Sequence, residues 1–160
     1  KMGPLAFLRS EELLKRWIEM ETFTPLFRSH EGLKPVEMTQ IYSNENLLKF
    51  FKKFNDIHNN LIPYFKKVNV ELVENGTPMI RHPFLLFPED ENTLAIQYQF
   101  FVGDSLLVCP VYKDDSQSVE VYLPEGKWSH FFTKEIYEGK KHYTIDAPIG
   151  KPCAFWRLDQ

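Results

Sequence analysis

Apolar residues recur at steps of three and four through two stretches of the first half of this chain, then give way to short runs in the second. Leu13, Leu14, Trp17 and Ile18 mark the first stretch. Ser10 ahead of them is a natural N-cap, and Glu11 and Glu12 place negative charge in the first turn, where the helix dipole favours it. This helix is predicted to stop near Glu21. The second stretch follows the start signal Ser43-Asn44-Glu45 and runs through Leu47, Phe51, Phe54, His58, Leu61, Phe65, Val68 and Leu72. Those positions form one face of a long helix lying on a larger body. A repeat of about 3.5 residues also fits a coiled coil, but Pro63 removes a backbone donor and predicts a bend. Gly76 ends the helix. His58 lies on the stripe, either as a hydrogen-bonded core histidine or as a ligand.

Between the helices, Phe23-Thr24-Pro25-Leu26-Phe27-Arg28-Ser29-His30-Glu31-Gly32 reads as an apolar strand ending in a polar tip that turns at Gly32. Helix, strand, polar tip and helix is the order of a (β/α) barrel unit, whose chemistry sits at the carboxyl ends of its strands. Arg28 and His30, two apart on a strand, face the same side. They offer donors to a polyhydroxyl or anionic ligand, or form a surface pair with Glu31. A single strand between two helices leaves that strand without partners and both helices with bare faces.

After Thr77-Pro78 the runs turn β-branched and aromatic. Strands are predicted over Met79–Phe87, Leu94–Phe101, Leu106–Val111, Val119–Leu123, Trp128–Phe132, Tyr143–Ile145 and Ala154–Trp156. Val119, Val121 and Leu123 alternate with Glu120 and Tyr122, which predicts one wet face. Pro124-Glu125-Gly126, Glu138-Gly139 and Ile149-Gly150 separate the runs. The expected fold is α/β followed by all-β, the second part an antiparallel sandwich able to close its own core. The expected division is 1–76 and 77–160.

Composition narrows the function classes. A length of 160 residues with 43% hydrophobic and 26% charged residues describes a globular chain. A net charge of -3 argues against nucleic acid as the main partner. No apolar run approaches the length of a membrane span. The opening Lys1-Met2-Gly3-Pro4 reads as a loop entering a helix rather than a signal peptide, since the apolar run from Leu5 to Leu8 is too short. Cys109 and Cys153 show no metal spacing and no secreted-domain framework. They read as buried thiols, with a disulfide between them left open, and a cytoplasmic location is expected. Asn75-Gly76-Thr77 is formally a glycosylation sequon, but reads as a helix stop.

A complete catalytic set is missing. Glu89-Asp90-Glu91, Asp114-Asp115 and Asp104 are acids in predicted turns, whereas glycosidase carboxylates face each other about 5–9 Å apart from separate elements. No serine lies in a nucleophile elbow, and no glycine-rich phosphate loop occurs.

Several segments, in order, resemble glycoside hydrolase family 31. Glu12-Leu13-Leu14-Lys15-Arg16-Trp17 and Phe23 to His30 look like its last helix–strand passage. Gly76-Thr77-Pro78-Met79-Ile80-Arg81 and Phe87-Pro88-Glu89-Asp90 resemble the entry to its proximal C-terminal β domain. Gln97 to Val111, Val121 to Trp128 and Ala147 to Pro152 complete the match. Cys109 stands where the family usually has alanine, and Arg81-His82-Pro83 replaces the commoner Arg-Pro-Leu. Arg28 to Gly32 and Ile149 to Pro152 look closest to bacterial sulfoquinovosidases.

The resemblance implies the end of a (β/α)8 barrel, with its last helices and strand eight, followed by an antiparallel β-sandwich. It implies part of a retaining α-glycosidase acting on α-glucosides or sulfoquinovosides through a glycosyl-enzyme, without metal or cofactor. The nucleophile and general-acid aspartates would lie on earlier strands, so this chain alone is expected to be inactive. His30 matches the histidine that hydrogen-bonds the reacting sugar, and Arg28 the arginine that supports it. Expected partners are a carbohydrate substrate, the remainder of the barrel and, as an open alternative, a second copy of the chain. The rival reading is a carbohydrate-binding or structural β module without catalysis, with Tyr122, Trp128 and Trp156 as stacking residues.

Overall fold

Ser10 does cap the first helix: its Oγ accepts from the Leu13 N–H at 3.1 Å, and α1 runs Glu11–Glu21. The structure is a computed structural model describing residues 8–30, 34 and 36–158. The turn at Gly32, the pairing with Glu31 and the loop Lys1-Met2-Gly3-Pro4 lie outside the described residues. Asn44, one residue beyond Ser43, caps the long helix α2 (Glu45–Asn75) by accepting from the Leu47 N–H at 2.8 Å. The helix runs through Pro63 without a break. Pro63 and Asn59 are both exposed, so the helix gives up this backbone bond on its solvent side. Gly76 closes α2 in the left-handed region at φ 69, its N–H bonded to the Leu72 carbonyl.

The strand expected over 23–27 does not form. Thr22 and Phe23 turn directly off α1, and 26–30 continue without a ladder partner. The reason is the one the order of elements foreshadowed: among the described residues the first half offers no second strand, and an unpaired strand leaves its N–H and C=O groups without bonds. Phe23 is nevertheless fully buried, as a core residue rather than a strand residue.

The second half is built of antiparallel strands: β1 (Ile80–Arg81), β2 (Phe100–Val102), β3 (Leu106–Cys109), β4 (Ser118–Leu123), β5 (Lys127–His130), β6 (Ile136–Glu138), β7 (Lys141–Asp146) and β8 (Cys153–Arg157). Six form one sheet in the order β1-β2-β3-β8-β5-β6, and β4 pairs with β7 in a second. Four expectations need correction. Met79–Phe87 is a strand only at Ile80–Arg81, because Pro83 starts a short helix, α3 (Pro83–Leu86), which the His82 ring caps by accepting from the Phe84 N–H. Leu94–Phe101 begins instead as a 3-10 turn (Glu91–Ala95) capped by Asp90. Strand β6 lies where only a turn was read, around Glu138-Gly139. Finally, Tyr122 is not wet.

Tyr122 is covered by that turn and by Gln99. The Gln99 side-chain amide donates to the Tyr122 carbonyl and accepts from its N–H, both at 2.8 Å, acting as a substitute ladder partner. The Tyr122 hydroxyl donates to Asp90 Oδ2 at 2.6 Å. Burial and this carboxylate push the hydroxyl pKa up to about 12.

Two cores flank the larger sheet. Phe101, Leu107, Trp128 and Phe155 meet Val119, Val121, Leu123 and Ile145 of the small sheet. On the opposite face, Val102, Leu106, Val108 and Ala154 pack against Leu61 and Phe65 of α2 and against Phe23. The β half therefore does not close its whole core alone. A third cluster, Leu14, Ile18, Leu47 and Phe54, joins α1 to α2. Polar ties cross the junction between α2 and the large sheet: the Tyr64 hydroxyl donates to the Val102 carbonyl at 2.6 Å, and Arg81 pairs with Glu71.

Candidate functional site

A cavity of about 400 Å³ lies where α1, the segment after it and α2 meet. Trp17 and Glu21 of α1, Phe51 of α2, and Phe27, Arg28, Ser29 and His30 line it, together with Arg9. Loss of the strand has not separated the two residues singled out in the sequence: Arg28 and His30 still reach one cavity. The wall behind them is fixed by aromatic packing. The Phe27 ring stacks on Phe51 at 5.3 Å between centroids and lies 5.0 Å from the His58 ring. His58 Nδ1 donates to the Thr22 carbonyl at 3.0 Å, so this histidine is a hydrogen-bonded core residue and orders the turn out of α1.

Arg9 holds the tip from the other side. Its guanidinium donates to the carbonyls of Thr39 (2.9 Å) and His30 (3.1 Å) and to Gln40 Oε1 (2.7 Å). These bonds position the His30 backbone against the loop that leads to α2. Glu21 was not singled out in the sequence. Burial raises its carboxyl pKa, and the Arg28 N–H bonded to it opposes the rise. Its position at a helix C-terminus, where negative charge is disfavoured, was the one local signal that could have marked it. The cavity thus combines an imidazole, two guanidinium groups, a hydroxyl and a carboxylate with aromatic walls. Glu21 is the one carboxylate among the described residues that line it, so this set can bind a polyhydroxyl ligand but lacks a facing acid pair.

Three of the turn acids, Asp90, Asp104 and Asp115, are engaged locally. Asp90 caps the 3-10 turn and accepts from Tyr122. Asp104 Oδ1 accepts from the Ser105 hydroxyl at 2.8 Å. Asp115 occupies a turn at φ 56, and its N–H is bonded to Glu12. The proposed stacking platform is not presented either. Tyr122 and Trp128 are buried, and half-buried Trp156 sits edge-on to Tyr64 at 5.0 Å. Among the described residues, no group of three or more His, Cys, Asp and Glu is placed to hold a metal ion, and no helix is long and apolar enough to cross a membrane.

Residues 76–159 match the glycosyl hydrolase family 31 C-terminal domain, and residues 5–68 match that family's TIM-barrel domain. The chain belongs to glycoside hydrolase family 31. Its family 31 relatives include the sulfoquinovosidase of Escherichia coli, 36% identical over 94% of this chain, and that of Agrobacterium fabrum, 35% identical over 95%. Alpha-glucosidase 2 of Bacillus thermoamyloliquefaciens is 29% identical over 92%. A family 31 sulfoquinovosidase from E. rectale, solved with an aza-sugar inhibitor, superposes with a TM-score of 0.92 at 35% identity over 96% of this chain. The chain spans 22% and 23% of the length of the two sulfoquinovosidase relatives, and 23% of the E. rectale enzyme.

Proposed function

We propose that this family 31 chain is the C-terminal portion of a retaining α-glycosidase, with residues 1–76 belonging to the catalytic barrel and 77–160 forming the β-sandwich behind it. The observation that carries the reading is the shared cavity of Arg28 and His30, at the position where the family resemblance sets the sugar-binding histidine. His30 hydrogen-bonds hydroxyls of the reacting ring, and these bonds strengthen as oxocarbenium character develops. Arg28 supports the geometry, and Arg9 holds the backbone beneath. Two aspartates on barrel strands outside this chain serve as nucleophile and general acid. One forms the glycosyl-enzyme, and the other protonates the leaving oxygen and then activates water.

The relatives at 36% and 35% identity make sulfoquinovosides the first substrate to try, ahead of α-glucosides. The test uses the full-length protein with aryl α-sulfoquinovoside and aryl α-glucoside, following the first-formed product by NMR. Release of the α-anomer is expected, with no turnover from residues 1–160 alone. First release of the β-anomer, or no turnover of either glycoside, overturns the proposal.

A further inference from the structure

Cys109 and Cys153 are partners in the register of β3 and β8, directly opposite each other at the centre of the six-stranded sheet. Both are free thiols, both are buried, and both face the core between the two sheets. Directly opposed residues on antiparallel strands have Cα atoms about 4.5–5.5 Å apart, inside the window that a disulfide spans. Cys109 is the last residue of β3 and Cys153 the first of β8. The pair therefore lies at a strand end, where ladders open at lower cost than in mid-strand.

A third group completes the arrangement. His130 on β5 is opposite Phe155, two residues along β8 from Cys153, and its ring meets the Phe155 ring edge-on at 5.2 Å. His130 is 2% exposed. Its Nδ1 accepts from the N–H groups of Phe132 (3.3 Å) and Thr133 (3.1 Å), which puts the proton on Nε2. That Nε2–H has no hydrogen-bond partner among the described residues. A buried donor left without an acceptor is costly, and an anion beside it removes the cost. Burial alone would raise the Cys153 thiol, but its interactions with Cys109 and His130 outweigh that and draw it below its ordinary value. Burial pushes the Cys109 thiol well up, and Cys153 adds to the rise. The geometry makes the two sulfurs unequal in the same sense: β8 lies between β3 and β5, so Cys153 has the His130 strand as its neighbour and Cys109 does not, which suits Cys153 to attack and Cys109 to resolve.

We propose that Cys109 and Cys153 form a reversible thiol–disulfide site whose oxidant is a small peroxide, with His130 as the residue that positions and stabilises the Cys153 thiolate. The Cys153 thiolate attacks one peroxide oxygen and the O–O bond breaks. A sulfenic acid forms on Cys153, and the departing oxygen leaves as water after taking up a proton. The Cys109 sulfur then attacks the sulfenyl sulfur. An S–S bond forms, the S–O bond breaks, and hydroxide leaves with the Cys109 proton as a second water. Two thiols lose two electrons, and one peroxide becomes two waters. A dithiol reductant reverses the change. The bond ties together β3 and β8, the seam between the two halves of the large sheet.

The test exposes the full chain to hydrogen peroxide, quenches, denatures and alkylates with N-ethylmaleimide. Before exposure both cysteines take up reagent. Afterwards neither does, the chain is two hydrogens lighter, and a peptide linking Cys109 to Cys153 is found by mass spectrometry. Dithiothreitol restores both sites, and oxidised chain melts several degrees higher than reduced chain. Cys109→Ala oxidises without forming the link. His130→Gln forms the same link about tenfold more slowly, reflecting the lost thiolate support. The proposal is overturned if the native chain keeps both sites alkylatable, if each cysteine passes to higher oxides without a link, or if the link forms only after denaturation. Equal rates in His130→Gln and the parent remove His130 from the mechanism.

Discussion

His30 is held by its backbone rather than by burial: the Arg9 guanidinium bonds its carbonyl, while the side chain lines the cavity beside Arg28. Replacement by alanine in the full-length enzyme should leave the melting temperature unchanged. It should lower kcat/KM by roughly 10²-fold, the size of losing one donor that acts on the transition state. Steady-state kinetics alongside a thermal melt checks both, and unaltered kcat/KM removes His30 from the sugar site. Two glycines offer a sharper test of packing. Gly76 and Gly103 both have positive φ, 69 and 64. A Cβ at Gly76 meets nothing within 4 Å, whereas one at Gly103 runs into Tyr64 and Val68. Gly76→Ala should therefore cost only the backbone term of a Cβ in the left-handed region, about 1 kcal/mol. Gly103→Ala adds a steric term and should cost about 3 kcal/mol, measured by urea unfolding.

At the scale of elements, α1 is tied to the β half by a buried ion pair. Arg16 Nη1 donates to Glu19 Oε2 (2.9 Å) and to the Ala147 carbonyl (3.0 Å), and Nη2 donates to the Ser116 carbonyl (2.6 Å). Glu19 Oε1 in turn accepts from the Gly150 N–H. Burial raises the Glu19 pKa in spite of the Gly150 N–H and Arg16. A raised carboxyl pKa stabilises the fold fully below its unfolded value, and that contribution is lost as pH rises through the folded value. Arg16→Met leaves Glu19 buried without its cation and should cost about 3 kcal/mol at neutral pH. The deficit should shrink as pH falls and Glu19 protonates. A deficit that stays constant on acidification would show that charge burial is not its cause. Pairing Arg16→Met with Glu19→Leu should recover much of the loss.

At the scale of the molecule, the large sheet has a core on each face, and α2 supplies one of them. A piece starting at 77 would expose Val102, Leu106, Val108 and Ala154 together, an apolar patch of the kind that binds dyes and self-associates. The expected outcome is that 77–160 alone binds a hydrophobic dye and melts without cooperativity, while a piece that retains α2, from 43 to 160, melts cooperatively. A cooperative melt of the shorter piece would show that the sandwich core suffices. The same reasoning explains why no strand forms over 23–27. The described residues offer it no ladder partner, while Phe23 finds its burial against α2 and the sheet.

What the order of residues determined by itself was whatever depends on near neighbours. The cap at Ser10, the helix start at Ser43-Asn44-Glu45, with Asn44 rather than Ser43 as the cap, the stop at Gly76, the stripe from Leu47 as far as Val68 though not to the exposed Leu72, and most of the strands after Thr77 all rest on contacts within a few positions. The ordered motifs that point to family 31 were legible for the same reason. Arg28 and His30 were legible as a pair because their spacing is local. Tertiary structure alone decided the rest. Tyr122 is buried by Gln99 and the Asp90 turn, Glu21 turns into the cavity, and the stretch after α1 stays out of any sheet. Cys109, Cys153 and His130 meet only because β3, β8 and β5 lie side by side in one register. Strand pairing is a long-range choice made by burial of whole faces, and no window of sequence contains it.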